Sequence, residues 1–358
     1  MAKGLPAEWG TCSHTISFNE IPFALSCWKS TIAVGIDSNS IITFDAITGG
    51  QTANLSGHTD RVVSLVFSSD GASLVSGSGD KTVKLWDMQT GGIIKTFHGH
   101  NAWVFSVSIS ADCTRIASGS KDETICLWDI QTGECHCVLK QQDWVDAVCF
   151  SPIDPQHLLF ISDNKVWQLD INDHQTLPIF DGSNVAFSLD GTQVALWDGE
   201  IVTVQCSNSG EIVTDFEIPD CSNGHFCFSP DGRLIAVAAD DNVYIWDIAS
   251  GEVESFIGHT ESITSLAFSS PTSLVSSSRD KPVKFWQIGA LSTDSVETDS
   301  ESIPPTLAPI MSITLQAKVS AYDFLLQNFD LFLFKSQHSF HYFLISYHYD
   351  LTIRPNPL

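Results

Sequence analysis

Seven positions recur along this chain at a spacing near 41: Phe44, Trp86, Trp128, Leu169, Gln205, Trp246 and Trp286, separated by 42, 42, 41, 36, 41 and 40 residues. Five of them lie five residues ahead of a turn glycine, at Gly49, Gly91, Gly133, Gly210 and Gly251; the parallel wording "KVWQLDIND" and "VKFWQIG" places Leu169 and Trp286. A second row, Cys27, Phe67, Ile109, Phe150, Phe187, Phe228 and Phe268, runs 17 to 19 residues ahead of the first. Two independent rows with one period mean seven copies of one supersecondary unit. Trp197 and Trp167 fall outside the register, eight residues before Gln205 and two before Leu169. Each belongs to a strand without marking the repeat.

Within a copy the vocabulary is that of strands. Val, Ile, Thr, Phe and Trp occur in short runs broken by Gly, Ser, Asp and Asn, and no stretch keeps an apolar period of 3.6. "VVSLVFSSDGASLVSGSGDKTVKLWDMQTGGIIKTF" reads as four strands joined by Ser-Asp-Gly, Gly-Asp-Lys and Gln-Thr-Gly turns, with Asp, Asn and Gly where positive φ or side-chain capping is needed. One four-stranded sheet cannot bury both faces, whereas seven packed radially can, and closing the ring removes long exposed edges. The expected fold is all-β, a seven-bladed β-propeller over residues 14–288. The last copy supplies three strands, at about 263–268, 273–277 and 283–287, so "HTISF" (14–18) is expected to complete it. Residues 289–311 read as an acidic Ser/Thr/Pro-rich linker, and 312–358 as an irregular aromatic-rich tail with ten Phe and Tyr between 322 and 349. One reading of that tail is an interaction segment that buries its aromatics on a partner; the blander and favoured reading is a disordered, mis-spliced or read-through end.

The formal net charge of -25, from 42 acidic and 17 basic residues, repels phosphate backbones and anionic lipid, which argues against nucleic acid and membrane as partners. "MAKGLPAEWGTC" carries no apolar signal-peptide core, which leads to an expectation of a cytoplasmic protein. Ten cysteines without a Cys-x-x-Cys pair read as reduced thiols, and Cys135-His136-Cys137 offers too few ligands on one strand face for zinc. No cofactor or metal is expected.

The pairs Gly57-His58, Gly99-His100 and Gly258-His259, each followed about 28 residues later by Trp-Asp or Trp-Gln, resemble the signature of the WD-repeat β-propeller family. That resemblance implies a buried hydrogen-bonded set of His, Ser, Asp and Trp in copies two, three and seven: His58, Ser76, Asp80 and Trp86; His100, Ser118, Asp122 and Trp128; His259, Ser276, Asp280 and Trp286. An isolated Ser-His-Asp group would suggest a hydrolase, but three repeated copies with a Trp in each point to a structural role. Copies one, four, five and six carry Phe18, Gln141, Pro178 and Pro219 at the His position, which makes the arc 141–219 the softest part of the expected ring. The wording of "GHTDRVVSLVFSSDGASLVSGSGDKTVKLWD" and "DIQTGECH" is similar to the C-terminal propeller regions of fungal NACHT-containing, NOD-like receptor proteins. It implies a sensing arm, here detached, since no Gly-x-x-x-x-Gly-Lys-Ser/Thr loop occurs in the chain.

The functional expectation is a non-enzymatic scaffold or sensor, monomeric unless part of a larger assembly, binding protein or peptide partners. The family holds partners on the face bearing the loops into each first strand and the turns between second and third strands. The matching positions here are Arg61, Trp103, Phe105, Lys121, Trp144, Asp146, Ser262 and Arg279. Exposed Trp and Arg supply the area and directional donors that binding hot spots use. The alternatives are a substrate adaptor of a ubiquitin-ligase-type assembly and a catalytic propeller. The latter needs carboxylate pairs or an activated nucleophile apart from the repeat's own Asp and His, and the sequence offers none.

Overall fold

The computed structural model describes residues 11–217, 225–289, 333–336 and 339–342. The chain divides into two compact units, residues 1–207 with 212–290, and residues 208–211 with 291–358. In the second, Leu333–Ser336 pairs antiparallel with Ser339–Tyr342. The remainder of the expected linker and tail lies outside the described residues.

Among its described residues the first unit has strands as its regular elements: β1 (Thr11–Ser17), then β2 (Pro22–Trp28), β3 (Thr31–Ile36), β4 (Ser40–Asp45) and β5 (Gln51–Ser56), of which β2 to β5 form blade 1. Blade 2 is β6 (Val62–Phe67), β7 (Ser73–Ser78), β8 (Thr82–Asp87) and β9 (Ile93–His98); blade 3 is β10 (Val104–Ile109), β11 (Arg115–Ser120), β12 (Thr124–Asp129) and β13 (Cys135–Lys140). Blade 4 is β14 (Val145–Phe150), β15 (His157–Ser162), β16 (Lys165–Asp170) and β17 (Thr176–Asp181). Blade 5 is β18 (Asn184–Phe187), β19 (Gln193–Trp197), β20 (Ile201–Cys206) and β21 (Ile212–Glu217). Blade 6 is β22 (His225–Phe228), β23 (Leu234–Ala239), β24 (Asn242–Asp247) and β25 (Val253–Ile257). Blade 7 takes β26 (Ile263–Ser270), β27 (Ser273–Ser278) and β28 (Pro282–Gln287), and β1 adds to β28 as its outer strand. The N-terminal strand therefore closes the seven-bladed β-propeller, starting three residues earlier than the sequence suggested.

The two sequence rows are one transverse row of cross-strand partners in every blade: Cys27, Ile32 and Phe44 in blade 1, Phe67, Leu74 and Trp86 in blade 2, and so on to Phe268, Leu274 and Trp286 in blade 7. Trp197 ends β19, and Asp198 caps the tight turn that follows by accepting from the Glu200 and Ile201 N–H groups. Trp167 pairs with Phe160, two residues off the row.

The core sits between consecutive blades. Ala24, Ile41 and Leu55 of blade 1 pack on Leu65, Leu74 and Trp86 of blade 2, and the pattern repeats until Leu25, Val34 and Phe44 meet Val275, Val283 and Phe285 of blade 7. First strands meet one another in succession around the central channel. Their inner edges have no sheet partner, and buried N–H groups must still be satisfied. Serines of the preceding blade do this: Ser26 Oγ accepts from Phe67 N–H (3.3 Å), Ser64 from Val107 (3.0 Å), Ser106 from Val148 (3.0 Å), Ser108 from Phe150 (3.0 Å) and Ser265 from Leu25 (3.3 Å). Cys149 and Cys227 accept from Phe187 and Phe268 in the same way, while burial pushes their thiols up to about 11 and about 12.

One reading is corrected. Pro178 does not occupy a loop equivalent to His58; it lies in β17, paired with Trp167, because Gly182 and Ser183 alone connect β17 to β18. An outer strand tolerates proline, whose missing N–H costs no ladder bond there, and the short connection accounts for the 36-residue interval. In the second turns the positive φ falls on the residue after Asp, at Lys81 (71°), Glu123 (69°) and Lys281 (83°). The preceding aspartate holds that turn: Asp80 Oδ1 accepts from Thr82 N (2.9 Å) and Thr82 Oγ1 (2.6 Å). Pro219 lies outside the described residues.

Candidate functional site

Blades 2, 3 and 7 each bring together the four residues of the expected polar set. In blade 2, His58 Nδ1 lies 2.8 Å from Asp80 Oδ2 and Nε2 lies 2.7 Å from Ser76 Oγ, while Trp86 Nε1 donates to the same Oγ at 2.8 Å. Blades 3 and 7 repeat this with His100, Asp122, Ser118 and Trp128, and with His259, Asp280, Ser276 and Trp286. The indole can only donate, so the serine oxygen accepts from it and sends its own proton to Nε2. The neutral imidazole is then left to donate Nδ1–H to the carboxylate. Every proton in the chain is spoken for. Burial pushes His100 and His259 below the usual histidine range against the pull of their aspartates, which keeps them neutral. Burial works against the charge of Asp80, yet hydrogen bonds from His58, Thr82 and the Thr59 N–H hold its carboxyl well below the usual range. A serine with no solvent exposure, locked between His and Trp, has no room for a substrate.

Blade 1 replaces the set as a unit: Phe18 meets Phe44 edge-on at 5.7 Å, and Val34 stands where blade 2 has Ser76. In blade 4 Phe160 takes the serine position and stacks on Trp167 at 6.1 Å.

The positions singled out for partner binding fall into two groups. In the first, Arg61 pairs with Asp37 and carries its guanidinium over Phe23 (5.3 Å) and Trp103 (5.9 Å), which links blades 1, 2 and 3. Trp103 lies against Gly79, where an added β-carbon would come within 3.2 Å of the indole. Lys121 Nζ sits 4.4 Å above the Trp144 ring, and Phe105 approaches the same ring at 6.0 Å. Lys121 N donates to Trp103 O at 2.9 Å, which ties the turn to the loop. Trp144 remains 45% exposed and is the open aromatic of this group. Asp146 is two residues further along β14, its carboxyl raised by burial and by the Asp143 charge.

The second group is Ser262 and Arg279, joined by Arg279 N donating to Ser262 O (3.0 Å). Both line a cavity of about 340 Å³ with Phe23, Val63, His225, Ile263 and Thr264. Phe23 touches Arg61 and lines this cavity, so it bridges the two groups. Sequence reasoning passed over Phe23, Asp37 and His225. The repeat register held the signal for the first two, since Phe23 shares its blade position with Phe105 and Asp37 shares that of Lys121. Among the described residues, no three His, Cys, Asp or Glu side chains are arranged to hold a metal ion.

The family model described as "WD domain, G-beta repeat" matches residues 49–87, 91–129, 220–247 and 251–287. The fold is a WD-repeat β-propeller. Those matches fall on parts of blades 1 to 3, 6 and 7, while blades 4 and 5 share the strand order and register without a match. The chain is 35% identical over 108 residues to COMPASS component SWD3 of Saccharomyces cerevisiae, covering 29% of this chain and 34% of that one. It is 29% identical over 112 residues to WD repeat-containing protein 37 of Homo sapiens, covering 30% and 22%. It is 31% identical over 133 residues to Periodic tryptophan protein 2 of Arabidopsis thaliana, covering 36% and 13%. The chain thus spans about a third or less of the length of these relatives.

Proposed function

We propose that this chain is a non-enzymatic, monomeric, cytoplasmic scaffold that holds a protein or peptide partner on the face carrying Arg61, Trp103, Phe105, Lys121 and Trp144. The observation that carries the reading is the preassembled row on that face: a guanidinium fixed between two rings and an ammonium fixed over a third, with Trp144 left open. Side chains already held by neighbours lose little entropy on binding, so a partner gains the full contact. A relative named as a component of COMPASS fits a role in assembly. The polar sets support the non-enzymatic part of the reading, since their serines are closed to solvent.

The test is capture of partners from native extracts by the full chain and by a Trp144→Ser, Lys121→Glu double variant whose fold is checked by circular dichroism. Loss of the captured set in the folded variant is expected; unchanged recovery would move the site elsewhere. The narrower reading, the recognition arm of a fungal NOD-like receptor, is supported by the wording of residues 57–87 and 129–136 alone. Recovery of a NACHT-domain protein in the same experiment tests it, and recovery of ubiquitin-ligase subunits instead would favour the adaptor role.

A further inference from the structure

Four arginines lie among the described residues, and three of them are engaged. Arg61 pairs with Asp37, Arg115 donates to Gln156 Oε1 at 3.0 Å, and Arg233 pairs with Asp247 at 2.8 Å. Arg279 is the exception: its side chain has no carboxylate or amide partner among the described residues, although the backbone beneath it is pinned to Ser262. It is also the one of the four that lines the 340 Å³ cavity.

The rest of the lining fits an anion with apolar surroundings. Phe23 from blade 1, Val63 from blade 2 and Ile263 from blade 7 give carbon walls, and no acidic residue contributes among the described residues. Thr264 Oγ1 is already committed to Pro22 O (2.6 Å) and Ser277 Oγ (2.8 Å), so Arg279, Ser262 and His225 remain as donors. His225, the first residue of β22, is open to solvent and lines the cavity with its imidazole. A guanidinium beside apolar walls binds carboxylate more strongly than one in open water, because the local dielectric is lower and the contact can be bidentate. A volume near the bottom of the range for ligand pockets suits one side chain and its flanks. The net charge of -25 opposes an acidic tract but tolerates a single carboxylate.

We infer that this cavity receives one glutamate or aspartate side chain of a partner peptide, with apolar residues on either side of it. The inference deepens the scaffold reading above and rests on it. Calorimetric titration of the full chain with Ac-Leu-Glu-Leu-NH2 and Ac-Leu-Gln-Leu-NH2 tests it. The glutamate peptide is expected to bind about tenfold or more tightly. Arg279→Gln is expected to shrink that difference to about twofold or less, while Arg115→Gln, remote from the cavity lining, retains it. Equal binding of the two peptides, or selectivity that survives Arg279→Gln, would overturn the proposal. So would tighter binding of Ac-Leu-phosphoserine-Leu-NH2 or of Ac-Leu-Leu-OH, which would assign the cavity to a phosphate or to a chain terminus. A chain that captures partners through Trp144 and Lys121 yet ignores the glutamate loses this inference alone. A chain that captures none loses the scaffold reading.

Discussion

Phe18 meets Phe44 edge-on at 5.7 Å in the same blade positions where His58 meets Trp86 at 5.9 Å. Blade 1 places apolar Phe18, Val34 and Phe44 at the His, Ser and Trp positions, where blade 2 places hydrogen-bonding groups, so either solution satisfies the core as long as it is complete. A half-exchanged site is the costly one, because buried donors are then left without acceptors. Ser118→Val in blade 3 would strand Trp128 Nε1–H and His100 Nε2 together, at a cost of about 2–4 kcal/mol. Thermal melts check this against Val34→Ser, whose new hydroxyl lies among the apolar partners of blade 1. A Ser118→Val protein melting with the wild type would remove the network from the account of stability.

Trp128 and Trp197 are both buried, at 2% and 5% exposure, yet they carry different loads. Trp128 Nε1 donates to Ser118, whereas Trp197 Nε1 is buried without a partner among the described residues. Trp197→Phe removes an unsatisfied donor together with some volume, and is expected to cost less than about 1.5 kcal/mol. Trp128→Ala loses packing and a hydrogen bond and is expected to cost about 3–5 kcal/mol. Equal shifts in melting temperature would contradict the assignment.

That difference also marks how far the sequence could be read. The repeat rows placed Trp128 and Trp197 correctly because strand register is a local, periodic property. They placed Pro178 wrongly because a count from one landmark cannot see that the β17–β18 connection has shrunk to two residues. Register also put Arg61 and Lys121 on one face but was silent on what they touch. Asp37 and the Trp144 ring come from neighbouring blades, and contacts across blades depend on how sheets twist against one another. His225 sits in the cavity lining although nothing in its wording sets it apart.

Cys113 occupies the first turn of blade 3 at φ 56°, where blades 2, 5 and 6 place Gly71, Gly191 and Gly232 at 71°, 69° and 71°. A side chain in the left-handed region costs roughly 1–2 kcal/mol, offset in part by the greater entropy glycine loses on folding. Cys113→Gly is expected to stabilise the protein by about 0.5–1 kcal/mol, even with loss of the 3.4 Å contact to Ser69 Oγ. Denaturant unfolding measures it; a lower midpoint at unchanged slope would show that the Ser69 contact outweighs the strain.

His100 and His259 are neutral in the fold and titrate near 6.5 when unfolded, so below about pH 6.5 the unfolded chain takes up protons that the folded one refuses. Their contribution is present above that pH and lost as pH falls toward the lowered folded values. Asp80 and Asp122 have depressed folded values, so theirs is lost only below about pH 4. At roughly 0.5 M salt, which screens the background charge, melting temperature should fall from pH 7 to about 5 and again below about 4. A steady rise on acidification to pH 5 at that salt would mean the histidines do not control the window.

Blade 7 depends on a strand from the other end of the first unit. Thr11–Ser17 pairs with Pro282–Gln287, and His14 stacks on Phe285 at 3.8 Å, so β1 contributes both ladder bonds and a covered ring. Deleting residues 1–18 leaves β28 as a bare edge and uncovers Phe44 by removing Phe18, and exposed edges recruit other chains. The shortened protein is expected to melt far lower or to aggregate. A point change separates the two causes: Ile16→Asp keeps the ladder but puts a charge against the blade 1 and blade 7 core, and should destabilise without exposing the edge. If the deletion variant stays monomeric and melts like the full chain, the velcro between the first strand and the last blade does not hold the ring together.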